Sequence, residues 1–196
     1  MNNKFDKAYW SKKYEHQKTG WDIGYISTPI KNYFDQLTNK DLKILIPGGG
    51  NSYEAEYLHE NGFKNVRVID IANQPLINLK KRFPDFPKKD LINDDFFNHT
   101  GKYDLIIEQT FFCALDPALR KQYINHMASL LNENGKLSGL LFDFKLTNEG
   151  PPFGGSILEY TQLFNSKFEI KILERCYNSI KPRQGRELFF INSKKH

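Results

Sequence analysis

A glycine turn and an aspartate about twenty residues beyond it are the groups in this sequence best suited to hold a small ligand. The glycines, residues 48–50, follow the apolar run 42–47, and Asp70 ends a second strand-like run. Glycine has no Cβ, so Gly48 and Gly50 can adopt backbone angles closed to other residues and let a ligand approach the main chain. An aspartate at the carboxyl end of a strand can accept hydrogen bonds from both hydroxyls of a ribose. The spacing therefore indicates a nucleoside site.

Each of these groups also has a simpler explanation, since a glycine run can be a flexible turn and an aspartate can be a helix cap. The type of nucleoside is a further question. A dinucleotide site usually carries Gly-x-Gly-x-x-Gly, whose third glycine allows close helix packing beside a pyrophosphate. Here Asn51, Ser52 and Tyr53 follow the turn, and a tyrosine there would crowd a pyrophosphate. The sequence thus favours S-adenosylmethionine, a nucleoside without phosphate.

Strand and helix patterns alternate along the chain and predict a doubly wound α/β sheet that binds ligands at the carboxyl ends of its strands. The predicted strands are residues 43–47, 66–71, 89–93, 103–108, 136–143, 168–176 and 186–192. The predicted helices are residues 4–17, 52–61, 74–83, 116–132 and 157–164. A loop containing Gly20, Gly24 and Pro29 is predicted after the first helix. The last two strands are expected to form an antiparallel pair at the sheet edge.

Length and composition favour one domain that spans residues 1–196, because 196 residues are enough for a single hydrophobic core. The two cysteines, Cys113 and Cys176, are too few for a disulfide framework and are predicted to be reduced core residues. No segment resembles a signal peptide or approaches the roughly eighteen apolar residues of a membrane span. We therefore expect a cytoplasmic protein without a membrane partner.

The net charge of +5 raises the question of nucleic-acid binding. The basic excess lies near both ends of the chain and fits either a phosphate-tracking face or ordinary solvated surface. No zinc-ligand spacing, helix-turn-helix pattern or aromatic RNA-binding motif accompanies it, so we expect no nucleic-acid partner. The five histidines share no ligand spacing, so we expect no metal and place these histidines at the surface. The basic residues near the two ends of the chain are Lys4, Lys7, Lys12, Lys13, Lys18, Lys181, Arg183, Arg186, Lys194 and Lys195.

Seven segments in a fixed order give the chain a family resemblance that covers about residues 10–186. They are Trp10 and Tyr14 with Trp21-Asp22-Ile23-Gly24; residues 46–50; Val68-Ile69-Asp70-Ile71; Asp94-Asp95-Phe96; residues 104–117, DLIIEQTFFCALDP; Arg120 with Tyr123; and Gly150-Pro151-Pro152-Phe153. Together they resemble the thiopurine S-methyltransferase family of S-adenosylmethionine-dependent enzymes, and more closely its branch of halide and thiol methyltransferases. The resemblance implies a single-domain, Rossmann-like class I methyltransferase. Its sheet would have seven mostly parallel strands and an antiparallel edge strand, with residues 1–40 as an N-terminal helical lid.

The resemblance also implies which residues bind the cofactor. The lid aromatics Trp10, Tyr14 and Trp21 would face the sulfonium cation, and the cation–π attraction would be roughly 0.5 to 2 kcal/mol. The alternative is that these rings only fill the core. Asp95 and Phe96 would lie beside the adenine, with a helix cap and a core ring as the alternatives. Gln109 would lie near the methionine portion, or it could satisfy loop backbone. The implied cofactor residues are Trp10, Tyr14, Trp21, Gly48, Gly50, Asp70, Ile71, Asp95, Phe96 and Gln109.

Three departures from common patterns refine this picture. Ile46-Pro47 stands where most methyltransferases of this fold carry an acidic residue, a loss that the thiopurine family shares. The family often has tryptophan at the position of Tyr14. No Asn-Pro-Pro-Tyr or Asp-Pro-Pro-Tyr follows the fourth strand, which disfavours methylation of DNA bases or glutamine amides.

The acceptor side requires positioning and dryness more than an acid or base, so we expect no catalytic residue in the strict sense. Methyl transfer from a sulfonium neutralises a charge, which favours a desolvated soft anion. Apolar walls are expected from Phe111, Phe112, Pro151, Pro152 and Phe153. Arg120 and Tyr123 share one helix face. The family has an arginine near the thiol substrate at the position of Arg120, which could hold an anion or only pair with a surface carboxylate.

The sequence thus predicts a monomeric enzyme that transfers the methyl group of S-adenosylmethionine to a small-molecule acceptor, a thiol or a halide-like anion. The alternatives are a dinucleotide-dependent oxidoreductase and a noncatalytic nucleoside-binding or RNA-binding protein. Cofactor titration and product formation distinguish them.

Overall fold

The computed structural model describes residues 4–195. These residues divide into two compact units, one ending at His99 and the other beginning at Thr100, and we describe each by itself. The assignment of the whole chain to a single domain stays a prediction.

The first unit contains three parallel strands and four helices. Its strands are β1 (Ile44–Pro47), β2 (Val66–Asp70) and β3 (Leu91–Asn93). Its helices are α1 (Lys7–Glu15), α2 (Thr28–Phe34), α3 (Tyr53–Glu60) and α4 (Asn73–Arg82). β2 lies between β1 and β3 and pairs parallel with both. All of β1 is buried, which explains its continuous apolar sequence.

The second unit contains four strands and two helices. Its elements are β4 (Tyr103–Gln109), α5 (Arg120–Leu130), β5 (Leu131–Phe142), α6 (Ile157–Phe164), β6 (Phe168–Arg175) and β7 (Glu187–Lys194). β4 and β5 are parallel, whereas β7 runs antiparallel to both β5 and β6. The predicted antiparallel pair of final strands is therefore confirmed.

The strand order of the sheet is β3-β2-β1-β4-β5-β7-β6. This order confirms the predicted doubly wound α/β class, with seven strands and an antiparallel edge. Parallel strands of this kind end at one edge of the sheet, where such folds bind their ligands. No helix among residues 4–195 combines the length and the apolar character that crossing a bilayer requires.

Two predicted boundaries were wrong. Residues 28–34 form α2 and not a loop, because Pro29 lies in the first turn of a helix, where its fixed φ and missing N–H are tolerated. The helix predicted to reach residue 132 ends at Leu130, and β5 begins at the next residue. Asn134 has a φ of 60°, in the left-handed region, and marks an irregularity within β5.

Some predictions about exposure also need correction. His59 and His99 are buried and not at the surface, and His59 packs its ring 4.6 Å from the Phe86 ring. Arg183 is buried with Glu187, at 3.6 Å, and so does not belong to a solvated basic face. His196 lies outside the described residues. Both cysteines are free and buried, as predicted.

Candidate active site

The glycine turn between β1 and α3 needs a glycine at each of its three positions. Gly48 and Gly50 have φ values of 56° and 54°, in the left-handed region that favours glycine. Gly49 is required for a different reason: a Cβ on it would lie 2.6 Å from Cγ1 of Val68 on β2. The Gly49 N–H donates to the Ile69 carbonyl at 3.2 Å, which holds the turn against that strand. The sequence analysis missed Gly49, although its place in the triplet was the available signal.

Asp70 lies at the end of β2 and is bound to this turn. Its Oδ2 accepts from the Gly50 N–H at 2.9 Å, and its Oδ1 accepts from the Ala72 N–H at 2.8 Å. The side chain is only 8% exposed, and this burial raises the pKa of the carboxyl to about 6. A carboxylate offers about four lone-pair positions, and the two backbone bonds occupy two of them. Asp70 can therefore accept two further hydrogen bonds, the number that a ribose diol donates.

Ile71 follows Asp70 and is half-buried. The Asn93 amide at the end of β3 donates to the carbonyls of Asp70, at 2.9 Å, and Ile71, at 3.0 Å. This side chain fixes the backbone that leaves β2. A contact between Ile71 and the cofactor stays a prediction.

The three aromatics of the predicted lid, Trp10, Tyr14 and Trp21, form one cluster. The Trp21 ring lies 5.4 Å from the Trp10 ring and 5.8 Å from the Tyr14 ring, edge to face in both cases. The Trp21 indole also hydrogen-bonds the Tyr14 hydroxyl, and burial raises the pKa of that hydroxyl well above its ordinary value. A Cβ on Gly50 would lie 3.1 Å from the Tyr14 hydroxyl and 4.0 Å from the Trp21 nitrogen. Two of the three aromatics thus reach the glycine turn.

Asp95 and Phe96 both have local structural roles. Asp95 accepts from the Phe97 N–H at 2.9 Å and caps the short turn Phe96–Asn98. Phe96 is buried, with its ring 5.3 Å from the Phe97 ring in an edge arrangement. The structure thus contains the simpler alternatives, a cap and a core ring, and contact of either residue with adenine stays a prediction.

Gln109 is the last residue of β4 and is half-buried opposite Leu140 of β5. Its predicted place beside the methionine portion of the cofactor stays a prediction.

Glu108, which the sequence analysis did not single out, is the most completely buried acid of the second unit. Its Oε1 accepts from the N–H groups of Phe111 and Phe112, both at 2.9 Å. Its Oε2 accepts from the Tyr123 hydroxyl at 2.5 Å. Burial raises the pKa of Glu108 to about 7. An acid inside an apolar strand run was the signal that could have drawn attention to it.

Arg120, at the start of α5, is buried and has partners on several sides. Its Nη1 forms a short ion pair with Glu159 of α6, and its Nη2 donates to the Gly154 carbonyl at 2.7 Å. The guanidinium lies 4.8 Å above the Phe112 ring. Its Nε has no hydrogen-bond partner within residues 4–195. Arg120 therefore pairs with a carboxylate, which is one of the two predicted alternatives. Its Nε–H is the buried donor that is left for another acceptor.

The other residues predicted to contact the acceptor lie near the turn that follows β4. Tyr123 is fully buried, with its hydroxyl committed to Glu108 and its ring 6.1 Å from the Phe111 ring. Phe153 is buried, and its N–H donates to the Cys113 carbonyl at 2.8 Å. This bond joins the segment 150–155 to the turn that follows β4. Phe111 is half-buried, so part of its ring faces solvent.

A small cavity in the second unit opens beside these residues. Its walls combine two acids, a thiol and a hydroxyl with apolar side chains. The lining residues are Glu108, Thr110, Cys113, Leu140, Leu141, Phe142 and Glu187. Burial raises the pKa values of Cys113 and Glu187, because it penalises the charged form of each group.

Known proteins resemble this chain over most of its length. The family model described as Thiopurine S-methyltransferase (TPMT) matches residues 5–194. A probable thiol methyltransferase 2 of Arabidopsis thaliana is 29% identical over 184 residues, which cover 91% of this chain and 81% of the relative. Thiocyanate methyltransferase 1 of the same plant is 24% identical over 193 residues, covering 95% and 85%.

Solved structures share the fold. A 1,6-didemethyltoxoflavin-N1-methyltransferase of Burkholderia thailandensis, crystallised with bound 1,6-didemethyltoxoflavin and S-adenosylhomocysteine, superposes with a TM-score of 0.78. The superposition covers 97% of this chain and 87% of that structure at 15% identity, a level that supports the fold alone. The family match, in contrast, spans almost the whole chain. The protein therefore belongs to the thiopurine S-methyltransferase family of S-adenosylmethionine-dependent methyltransferases.

Proposed function

We propose that this methyltransferase moves the methyl group of S-adenosylmethionine to a small soft nucleophile, a thiol or a halide-like anion such as thiocyanate. Family membership gives the chemical class, S-adenosylmethionine-dependent methyl transfer. The observation that carries the proposal is the Asp70 carboxylate, which is tied to the Gly50 N–H and keeps lone pairs for two more donors. The acceptor class rests on the chemistry of the second unit and on the relatives.

The first unit suits the cofactor in three respects. Asp70 would bind the ribose hydroxyls, and the main chain at Gly48 and Gly50 would pass close to the ligand because no Cβ intervenes. S-Adenosylmethionine, when bound, supplies an electrophilic methyl group on a sulfonium cation. The aromatic faces of Trp10 and Trp21 would attract such a cation by roughly 0.5 to 2 kcal/mol.

The acceptor side of the proposal rests on apolar walls and one buried cation. Phe111 and Phe153 would exclude water from the acceptor, which raises the reactivity of a soft anion. Glu108 binds the N–H groups at the start of that wall and so holds Phe111 in place. Arg120 would contribute its remaining N–H donor to the acceptor, as a binding group and not as a base.

The proposed acceptors need little or no help with deprotonation. A free thiol has a pKa near 8.5 and is partly ionised at neutral pH, and a halide or thiocyanate carries no proton to lose. The names of two relatives, a probable thiol methyltransferase and a thiocyanate methyltransferase, support this range of acceptors. We further propose that the enzyme acts as a monomer in which residues 1–40 form the lid.

Two measurements test the proposal. Calorimetric titration with S-adenosylhomocysteine should show binding, and the absence of binding would contradict the cofactor assignment. An acceptor panel of iodide, bromide, thiocyanate, hydrosulfide, aromatic thiols, selenite and tellurite, scored by release of S-adenosylhomocysteine, tests the acceptor class. Cofactor binding with turnover of none of these acceptors would overturn the acceptor proposal alone.

A further inference from the structure

A polar contact connects the lid to the glycine turn. Asp22, the residue after Trp21, accepts the Gly24 N–H on Oδ1 at 2.8 Å. Its Oδ2 accepts a hydrogen bond from the side-chain amide of Asn51. Asn51 is the residue that follows Gly50. Asp22, next to Trp21 of the lid, is therefore hydrogen-bonded to Asn51, next to the glycine turn.

The Asn51 side chain is held in this orientation from the other side. Its Oδ1 accepts from the Asn78 amide at 3.0 Å, so its nitrogen must point towards Asp22. Its main-chain carbonyl accepts from Nη2 of Arg82 at 2.7 Å. Asn78 and Arg82 both belong to α4, which thus serves as the fixed base of the contact.

Tyr53 adds a third donor to the same carboxylate. Its hydroxyl hydrogen-bonds Asp22, and the Arg82 guanidinium lies 4.2 Å above its ring. Asp22 therefore receives donors from its own loop and from two neighbouring residues of the segment that begins α3. These three hydrogen bonds to a charged acceptor restrict the orientation of the Asp22 carboxylate.

Apolar burial alone provides little to hold α1 and its aromatic cluster. None of the residues of α1 is buried, and the aromatic side chains of Trp10, Tyr14 and Trp21 are only half-buried. Hydrophobic stabilisation is proportional to the apolar area removed from water, so it is small for such a helix. The polar contacts of Asp22 then weigh more in fixing where the aromatic cluster lies.

We propose that Asp22 and Asn51 form a latch that positions the aromatic lid over the glycine turn, and that both are positioning residues for cofactor binding. The cofactor part of this inference rests on the proposed function. The latch itself is a property of the unliganded protein, because every contact in it joins side chains and backbone of this chain.

A reciprocal exchange of the two side chains tests the latch directly. Asn51→Asp alone places two carboxylates face to face, and Asp22→Asn alone places two amides face to face. The double variant Asp22→Asn/Asn51→Asp restores one amide donor and one carboxylate acceptor with the polarity reversed. The new amide oxygen at position 22 can still accept the Gly24 N–H, and the new carboxylate at position 51 can still accept the Asn78 amide.

Tryptophan fluorescence reports on the lid specifically, because the only two tryptophans of the chain, Trp10 and Trp21, both lie in it. In the unliganded protein, acrylamide should quench the single variants more strongly than the wild type and the double variant. The dissociation constant of S-adenosylhomocysteine should rise about tenfold in each single variant and recover in the double variant. The kcat at saturating cofactor should change less than the KM for the cofactor.

The control is Asp35→Asn, which removes the charge of a carboxylate that accepts from Tyr57 of α3, away from the aromatic cluster and the glycine turn. It should leave both fluorescence quenching and cofactor affinity unchanged. Asp22→Ala serves as a second opening variant if Asn51→Asp does not fold. Single variants with wild-type quenching, or a double variant no better than the singles, would overturn the latch. A wild-type protein that fails to bind S-adenosylhomocysteine would instead overturn the proposed function and leave the quenching result standing.

Discussion

The Tyr123 hydroxyl donates a 2.5 Å hydrogen bond to Glu108, and neither side chain has any exposed surface. The other oxygen of Glu108 accepts from the backbone of Phe111 and Phe112, so one buried carboxyl joins β4, the turn after it and α5. Burial nevertheless outweighs these three donors and raises the pKa of Glu108 to about 7. The folded protein therefore binds a proton at this site more tightly than the unfolded chain does.

Glu108 should make the protein less stable as the pH rises from about 4.5 to about 7. In this window the folded state holds more protons than the unfolded state, so the free energy of unfolding falls with rising pH. The total loss should be of the order of 3 kcal/mol. Glu108→Gln mimics the protonated acid, since its oxygen can accept both N–H groups and its amide can donate to Tyr123. Urea unfolding at pH 5 and pH 8 should show a larger loss in the wild type than in Glu108→Gln, in which the raised pKa of Asp70 still contributes. Equal losses would contradict this assignment.

The strands could be predicted from the sequence, whereas the partners of the buried polar groups could not. β1 and β4 are buried over most of their length, and this leaves continuous apolar runs that periodicity detects. The proximity of Asp70 to the glycine turn was also predictable, because the turn and the strand end are both local signals. In contrast, Glu108 appears in the sequence only as a polar break in an apolar run, and its partner Tyr123 lies on a different element. Such pairs depend on packing between elements, which no local pattern records.

Asp70→Asn should weaken binding of S-adenosylhomocysteine at least about tenfold, because a charged acceptor of two hydroxyls is replaced by a neutral amide. Arg120→Ala should leave this affinity close to that of the wild type and mainly raise the KM for the acceptor.

In the wild type, the affinity for S-adenosylhomocysteine should also fall below about pH 6, since the ribose hydroxyls would favour the ionised form of Asp70. Calorimetric titration of the wild type and both variants with S-adenosylhomocysteine at pH 5 and pH 8 tests these expectations. Equal losses of affinity in the two variants would contradict the assigned roles.

Glu159→Gln should lower the KM for thiocyanate if Arg120 binds an anionic acceptor. In the wild type, the Arg120 guanidinium is partly neutralised by its ion pair with Glu159. The neutral amide keeps a hydrogen-bond acceptor for Nη1 but leaves the positive charge uncompensated. The KM for a neutral aromatic thiol should change less. Glu169→Gln, which removes an exposed acid of the same unit, is the matched control. An unchanged KM for thiocyanate would show that Arg120 has only a structural role.

Gly49→Ala should destabilise the protein by about 1 to 3 kcal/mol, because its new methyl group would lie 2.6 Å from Cγ1 of Val68. β2 is buried at Val68, so the strand cannot move away without disturbing its pairing with β1 and β3. The displaced turn should also carry the Gly50 N–H away from Asp70, which would reduce cofactor affinity. Thermal unfolding and titration with S-adenosylhomocysteine measure the two effects.

Gly20→Ala is the control for this substitution. A Cβ on Gly20 would meet nothing within 4 Å, and its backbone is outside the left-handed region. The replacement should therefore leave stability unchanged or raise it slightly, because alanine reduces the freedom of the unfolded chain. If both alanine variants unfold at the wild-type temperature, β2 must yield to the methyl group. The close approach of Gly49 to Val68 would then not be what requires glycine at the centre of the turn.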